Sequence, residues 1–184
     1  MIRNWLVIAG ALVLLGAAAC GDDDGGGSGG TGGQNGGGNG NGSGAACDVF
    51  SSAELGDVLG TPMGPGASNN DVFCDWSATD EEKGTSVSLQ IFRGGASTYD
   101  ETLAALKANF DSATFTDLTG VGDEAYIMVH ELEVLGFNAV TVQAGATTGD
   151  DLVVVTTGEV TEVGATSSLE DATRELLERA VDRI

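Results

Sequence analysis

The chain has 184 residues, 30 of them Gly, and sets 28 Asp plus Glu against 7 Lys plus Arg, a net charge of −21. Gly is concentrated before residue 45 and the periodic apolar segments after it, which leaves about 140 residues to fold, the size of one domain with one core. The acids run through the chain from Asp22 onward instead of forming one tail, so its field repels phosphate backbones and anionic headgroups; this excludes nucleic acid as a partner and adhesion through a basic patch.

The N-terminus carries the first signal. Arg3 gives a short positive region, Trp5 to Leu15 is apolar, and Ala17-Ala18-Ala19 precedes Cys20. The run from Trp5 to Cys20 falls short of the roughly 20 residues a helix needs to cross a bilayer, so residues 1–19 are expected to be a cleaved signal peptide. These residues resemble a bacterial lipobox, in which the cysteine receives diacylglycerol and becomes residue one; Ala17 stands where such a box usually has Leu. The resemblance implies lipidation of Cys20 and an outward-facing, lipid-anchored place at the cell membrane. Ala17-x-Ala19 also suits an ordinary signal peptidase, which would release an unacylated chain.

Three cysteines leave one unpaired in an oxidising compartment; with lipid on Cys20, Cys47 and Cys74 remain as a disulfide pair. Reduced buried thiols or metal ligands are the alternative for these two. Residues 20–44 are the lipidated Cys and a linker: 21–44 hold 14 glycines in 24 residues and no aliphatic or aromatic side chain, so nothing there can be buried. Such a coil spans about 27 Å r.m.s., enough to lift a domain clear of headgroups. The phosphate-loop reading of its glycines fails without a following Lys-Ser/Thr.

The folded domain is expected over 45–184. Ser51 and Glu54 form a capping box, Phe50 and Leu55 a staple, and Gly60 a stop, giving a helix over 52–59. Alternation of Val72, Cys74 and Trp76, then of Val87, Leu89 and Ile91, predicts a hairpin through Asp80-Glu81-Glu82-Lys83-Gly84, with the first three facing inward. Thr98 and Glu101 read as a second capping box, opening a helix to Phe110 whose Tyr99, Leu103, Leu106 and Phe110 form one stripe. Strands are expected over 125–130, 137–143 and 152–157. A final helix is expected over 168–183, capped by Ser167, with Leu169, Ala172, Leu176, Ala180 and Val181 inward. The predicted architecture is α+β: a single antiparallel sheet with about three helices packed on one face.

Cys47-Asp48-Val49-Phe50-Ser51-Ser52-Ala53-Glu54-Leu55, Leu59-Gly60, Cys74-Asp75-Trp76 and Gly120-Val121-Gly122-Asp123-Glu124-Ala125-Tyr126 resemble a family of actinobacterial lipoproteins known as domain of unknown function 3558. The resemblance covers nearly all of 45–184. It implies an exported lipoprotein with a cysteine pair and an α+β domain akin to the Mog1 and PsbP type, and it implies no activity.

Chemistry is sparse. His130 is the one histidine, which rules out multi-histidine metal centres; beside Glu131 and Glu133 it is the one candidate general base, or else a surface residue at a hairpin end. Asp123-Glu124 and Asp80-Glu81-Glu82 lack the alternating acids of a Ca²⁺ loop and read as turns. Trp76 and Tyr126, each in a strand pattern, read as core residues over ligand-stacking ones. No catalytic residue, metal ligand or cofactor site is assigned. The expected function is a non-enzymatic envelope module that binds a small ligand or another envelope protein; the alternatives are a hydrolase or other enzyme using His130, and a passive structural lipoprotein.

Overall fold

The computed structural model describes residues 46–68, 70–80, 84–162 and 168–184. The expected signal peptide 1–19, Cys20 with its expected lipid, the expected linker 20–44, residues Glu81 to Lys83 of the first turn and the expected Ser167 cap lie outside the described residues.

The first helix, α1, is Ser52–Leu59, as expected, with Gly60 at φ 66° closing it. Half of its capping box forms. The Glu54 N–H donates to Ser51 Oγ at 3.2 Å, but the Glu54 carboxylate accepts from Arg179 Nη1 at 2.8 Å and Arg183 Nη2 at 2.6 Å. Both arginines belong to or follow the last helix, α3, Leu169–Val181, so a carboxylate suited to a local cap instead ties the two ends of the domain together. Arg183 also donates to the Val49 carbonyl at 2.6 Å and stands 5.5 Å from the centre of the Phe50 ring.

Six strands form one antiparallel sheet in the order β1-β2-β6-β5-β4-β3. Strands β1 (Phe73–Ser77) and β2 (Ser86–Phe92) are the expected hairpin. Val72 corrects the expectation: it precedes β1 in a bend and is exposed, while Cys74 and Trp76 are buried. Helix α2, Tyr99–Asn109, follows a short 3₁₀ turn over Ala96–Thr98. That turn cancels the second capping box, because the Thr98 hydroxyl donates back to the Gly95 carbonyl at 2.8 Å and gives the helix no side-chain cap. Strand β3, Thr114–Leu118, was not expected; β4 (Glu124–Val134), β5 (Phe137–Thr148) and β6 (Asp151–Glu162) are longer than the apolar patterns that predicted them.

Alternation along the strands gives the sheet two unlike faces. On one, Leu89, Ile127, Val142, Ala144, Val153 and Val155 pack with Leu55 of α1 and with Leu169, Leu176, Leu177 and Ala180 of α3. On the other, Tyr126, Met128, Leu152 and Val154 pack with Tyr99 and Leu106 of α2. The single antiparallel sheet with three helices thus stands as expected, except that α2 covers the face opposite α1 and α3, because its stripe meets the even-numbered side chains of β4 and β6. In α3, Leu177 and Thr173 join the expected inward residues; the Thr173 hydroxyl lies 2.5 Å from that of Thr157, so each satisfies the other in the core.

Cys47 and Cys74 form a disulfide with Cα atoms 5.1 Å apart, joining the segment before α1 to β1. The Phe50 ring meets Trp76 edge-on at 6.2 Å beside it. A loop of about 28 residues closed this way adds about 3.5 kcal/mol on the chain-entropy account. A Cys47→Ser/Cys74→Ser variant is therefore expected to lose about 2–4 kcal/mol in urea unfolding, and the wild-type protein to fall to the same midpoint under reductant.

Arginine donors hold the Glu54 carboxyl below its ordinary pKa, the Arg183 hydrogen bond being the largest cause. A depressed folded-state value contributes stability above the unfolded pKa of about 4.3 and loses it as pH falls through the folded value. Glu54→Gln should thus cost about 1 kcal/mol at pH 7, with the gap between variant and wild type closing in unfolding measurements carried below pH ~4.

Candidate functional site

Among the described residues, the face that carries α2 is only half covered. Cross-strand register sets its rows, since residues paired across strands share a face. Nearest α2, Tyr126 stands opposite Gly145 and Val154. A Cβ at Gly145 would come within 2.6 Å of Tyr126 Cε1, so the glycine is what lets this ring lie flat across β5. Tyr126 Oη accepts from Gln143 Nε2 at 2.8 Å, and its ring tilts against Tyr99 at 5.8 Å. Burial raises the Tyr126 hydroxyl well above its usual range; burial, then the carboxylates of Glu124, Asp117 and Asp100, push Tyr99 up to about 12. Both phenols are neutral at physiological pH.

One row further along, Asp75, Ser88, Thr156 and Gln143 line up across β1, β2, β6 and β5; burial raises the Asp75 carboxyl above its ordinary pKa. His130 follows, with Nε2 3.2 Å from Ser112 Oγ and its ring edge-on to Phe110 at 5.2 Å. The expected acid-base grouping around His130 does not form. Successive strand residues point to opposite faces, so Glu131 and Glu133 lie on the other side of β4 from the imidazole.

Beyond His130 the face turns apolar and open. Leu132 pairs with Ala139 and Val160 lies next across, while Val134 pairs with Phe137; Leu132, Val134, Phe137 and Val160 are 49%, 42%, 53% and 47% exposed. At the hairpin tip, Leu135 is 86% exposed and adopts φ 54°, followed by Gly136 at φ 85°. Two-residue turns of this kind favour Asn-Gly, and a leucine there costs both backbone strain and solvent exposure. None of these five was picked out as a site residue from the sequence. Their signal was the Glu131-Leu132-Glu133-Val134 alternation running past His130.

The other expected residues have structural places. Trp76 and Tyr126 are buried in the core clusters. In the Gly120–Tyr126 segment, Gly122 has φ 58° and its missing Cβ would meet the Thr147 carbonyl at 2.2 Å. Asp123 accepts from the Gly149 N–H at 3.0 Å and donates its own N–H to Thr147 at 2.8 Å. This is a turn that clamps the β5–β6 hairpin. Among the described residues no three His, Cys, Asp or Glu side chains gather as metal ligands, and no helix is long and apolar enough to cross a membrane.

The chain matches no protein-family model and no curated protein.

Leu135→Asn should relieve the left-handed strain and raise stability by about 1 kcal/mol, read as a higher denaturant midpoint; an unchanged or lowered midpoint would show that Leu135 makes compensating contacts.

Proposed function

We propose that the protein is an exported, lipid-anchored lipoprotein of the cell envelope whose domain is a non-enzymatic binding module. The Cys47–Cys74 disulfide carries this reading. Of three cysteines two are joined, which leaves Cys20, and Cys20 is the one that follows an apolar run and Ala17-Ala18-Ala19. A bridge within the domain fits an oxidising compartment, and two acyl chains on Cys20 would anchor stably where one would be reversible. The Gly-rich linker 21–44 then serves as a tether. The resemblance to actinobacterial lipoproteins supports the same assignment.

Binding is favoured over catalysis by the half-covered face. An antiparallel sheet that exposes four apolar side chains in adjoining rows has the form of a contact surface, and His130 has the Ser112 hydroxyl beside it while Glu131 and Glu133 lie on the other face of β4. The ligand on this reading is a small molecule or another envelope protein.

The test is an intact mass, non-reducing, of the protein extracted in mild detergent from the membranes of its own cells. The expected chain begins at Cys20, carries diacylglycerol and lacks two hydrogens for the bridge; a retained small-molecule mass would identify a carried ligand. Cys20→Ser should move the protein from the membrane to the soluble fraction. An unacylated mass from wild-type cells would overturn the anchoring.

A further inference from the structure

The structure points to a docking edge for an extended protein segment. Strand β3 pairs with β4 only from Ala125 to Val129, while β4 continues to Val134. Among the described residues no strand pairs with the outer edge of β4 from His130 onward. No backbone hydrogen bond among the described residues takes up the outward donors and acceptors of that edge, the condition for adding a strand from another chain.

The side chains along this edge specify what would fit. Glu131 and Glu133, both exposed, point to the α3 face, and Leu132 and Val134 point to the other, where Phe137 and Val160 extend the apolar surface. An added strand would place every second residue against a carboxylate and the intervening residues against the apolar patch. We propose that the β4 edge over 130–134 binds an extended segment of a partner protein in which basic and apolar residues alternate.

Two other occupants fit worse. A second copy docking antiparallel on the same edge would set Glu131 and Glu133 against their own counterparts, and like charges opposite one another destabilise a strand pair. The lipid surface is disfavoured by charge. The described residues begin at Ala46, whose N–H donates to the Asp71 carbonyl; Phe73, two residues on, is level across the sheet with Tyr126 through Gln90, Val154 and Gly145. The hairpin tip at Leu135 lies nine residues further along the strand direction, about 30 Å away. The patch sits at the end of the sheet opposite Ala46, and its carboxylates repel anionic headgroups.

This inference rests on the reading of the domain as a binding module, but it can fail separately. The experiment uses the full lipidated chain in phosphatidylcholine nanodiscs with three synthetic peptides: alternating Lys-Val, alternating Glu-Val, and Lys-Val with alternate backbone nitrogens methylated. Binding is read by fluorescence anisotropy and located by amide hydrogen exchange. Lys-Val should bind and protect residues 130–134; the methylated peptide, missing donors, should not. Glu131→Lys/Glu133→Lys should weaken Lys-Val about tenfold, the sum of two cross-strand charge pairs, and reverse the preference to Glu-Val. Leu132→Ser, an exposed change, should weaken Lys-Val without shifting the unfolding midpoint. No binding at millimolar peptide, equal binding of Lys-Val and Glu-Val, or protection elsewhere would overturn the proposal. So would a concentration-dependent dimer lost in Leu132→Ser, which would give the edge to a second copy. None of these results changes the mass of the acylated chain, so loss of the docking edge and loss of the anchoring remain distinguishable.

Discussion

The constraint on which the rest of the molecule depends is a mismatch of length. Strands β5 and β6 each run 12 residues, about 40 Å of extended chain, whereas α3 with 13 residues and α2 with 11 reach only about 20 and 17 Å. No helix of this domain can cover its sheet from end to end. The helices concentrate where β1, β2 and β3 also add width, and there both faces bury their side chains. Past His130, among the described residues, no helix covers the α2-side face of the β4–β5–β6 ribbon, and Leu132, Val134, Phe137 and Val160 meet solvent there, while Val140 on the other face stays buried. The exposed patch follows from that geometry.

What holds the covered end together is a second consequence. Helix α1 is a short element with Leu55 as its one fully buried side chain, too little apolar surface to fix its position by packing alone. Two links from outside the hydrophobic core compensate. The Cys47–Cys74 bridge fastens the segment before α1 to β1, and the Glu54 carboxylate draws Arg179 and Arg183 from the far end of the chain. One link is covalent and indifferent to pH; the other is electrostatic and released by acid. The segment at Ala46, through which a tether would transmit any pull, is thereby joined to a sheet strand and not to a helix that could fray.

Much of the covered end was legible in the sequence. Helix α1 with its Gly60 stop, the stripe of α2, the β1–β2 hairpin and the inward set of α3 all follow from period and caps, since local pattern and tertiary burial agree there. The failures have physical causes. Strand β3, Thr114-Phe115-Thr116-Asp117-Leu118, is an exposed edge with little apolar alternation to read. The distal half of β4 does alternate, as Glu131-Leu132-Glu133-Val134, but its apolar residues are exposed and join no core, and the ends of β5 and β6 are polar or mixed, so the apolar runs stop before the strands do. The helix faces were misjudged because β4 and β6 are buried on both sides near α2, and continuous apolar runs carry no sidedness. Of the site, the cysteine pairing was legible by count and the turn at Asp123 by its glycines, though not its hold on the β5–β6 hairpin, and the grouping of His130 with Glu131 and Glu133 was undone by the pleat itself.

The charge of the chain acquires a meaning from this arrangement. A net charge of −21 would serve solubility wherever the acids stood, but Glu131 and Glu133 stand on the outer edge of the projecting ribbon, the place where an unprotected sheet would join another. Carboxylates there block pairing with any acidic or identical strand while leaving the backbone groups free. A fully guarded edge would also lack exposed apolar side chains, and this one keeps Leu132 and Val134, with Leu135 held at the tip in a conformation that asparagine or glycine adopts more easily. Repulsion of most strands combined with retained apolar contact is the physical form of selectivity: the edge discriminates among partners by the charge they bring.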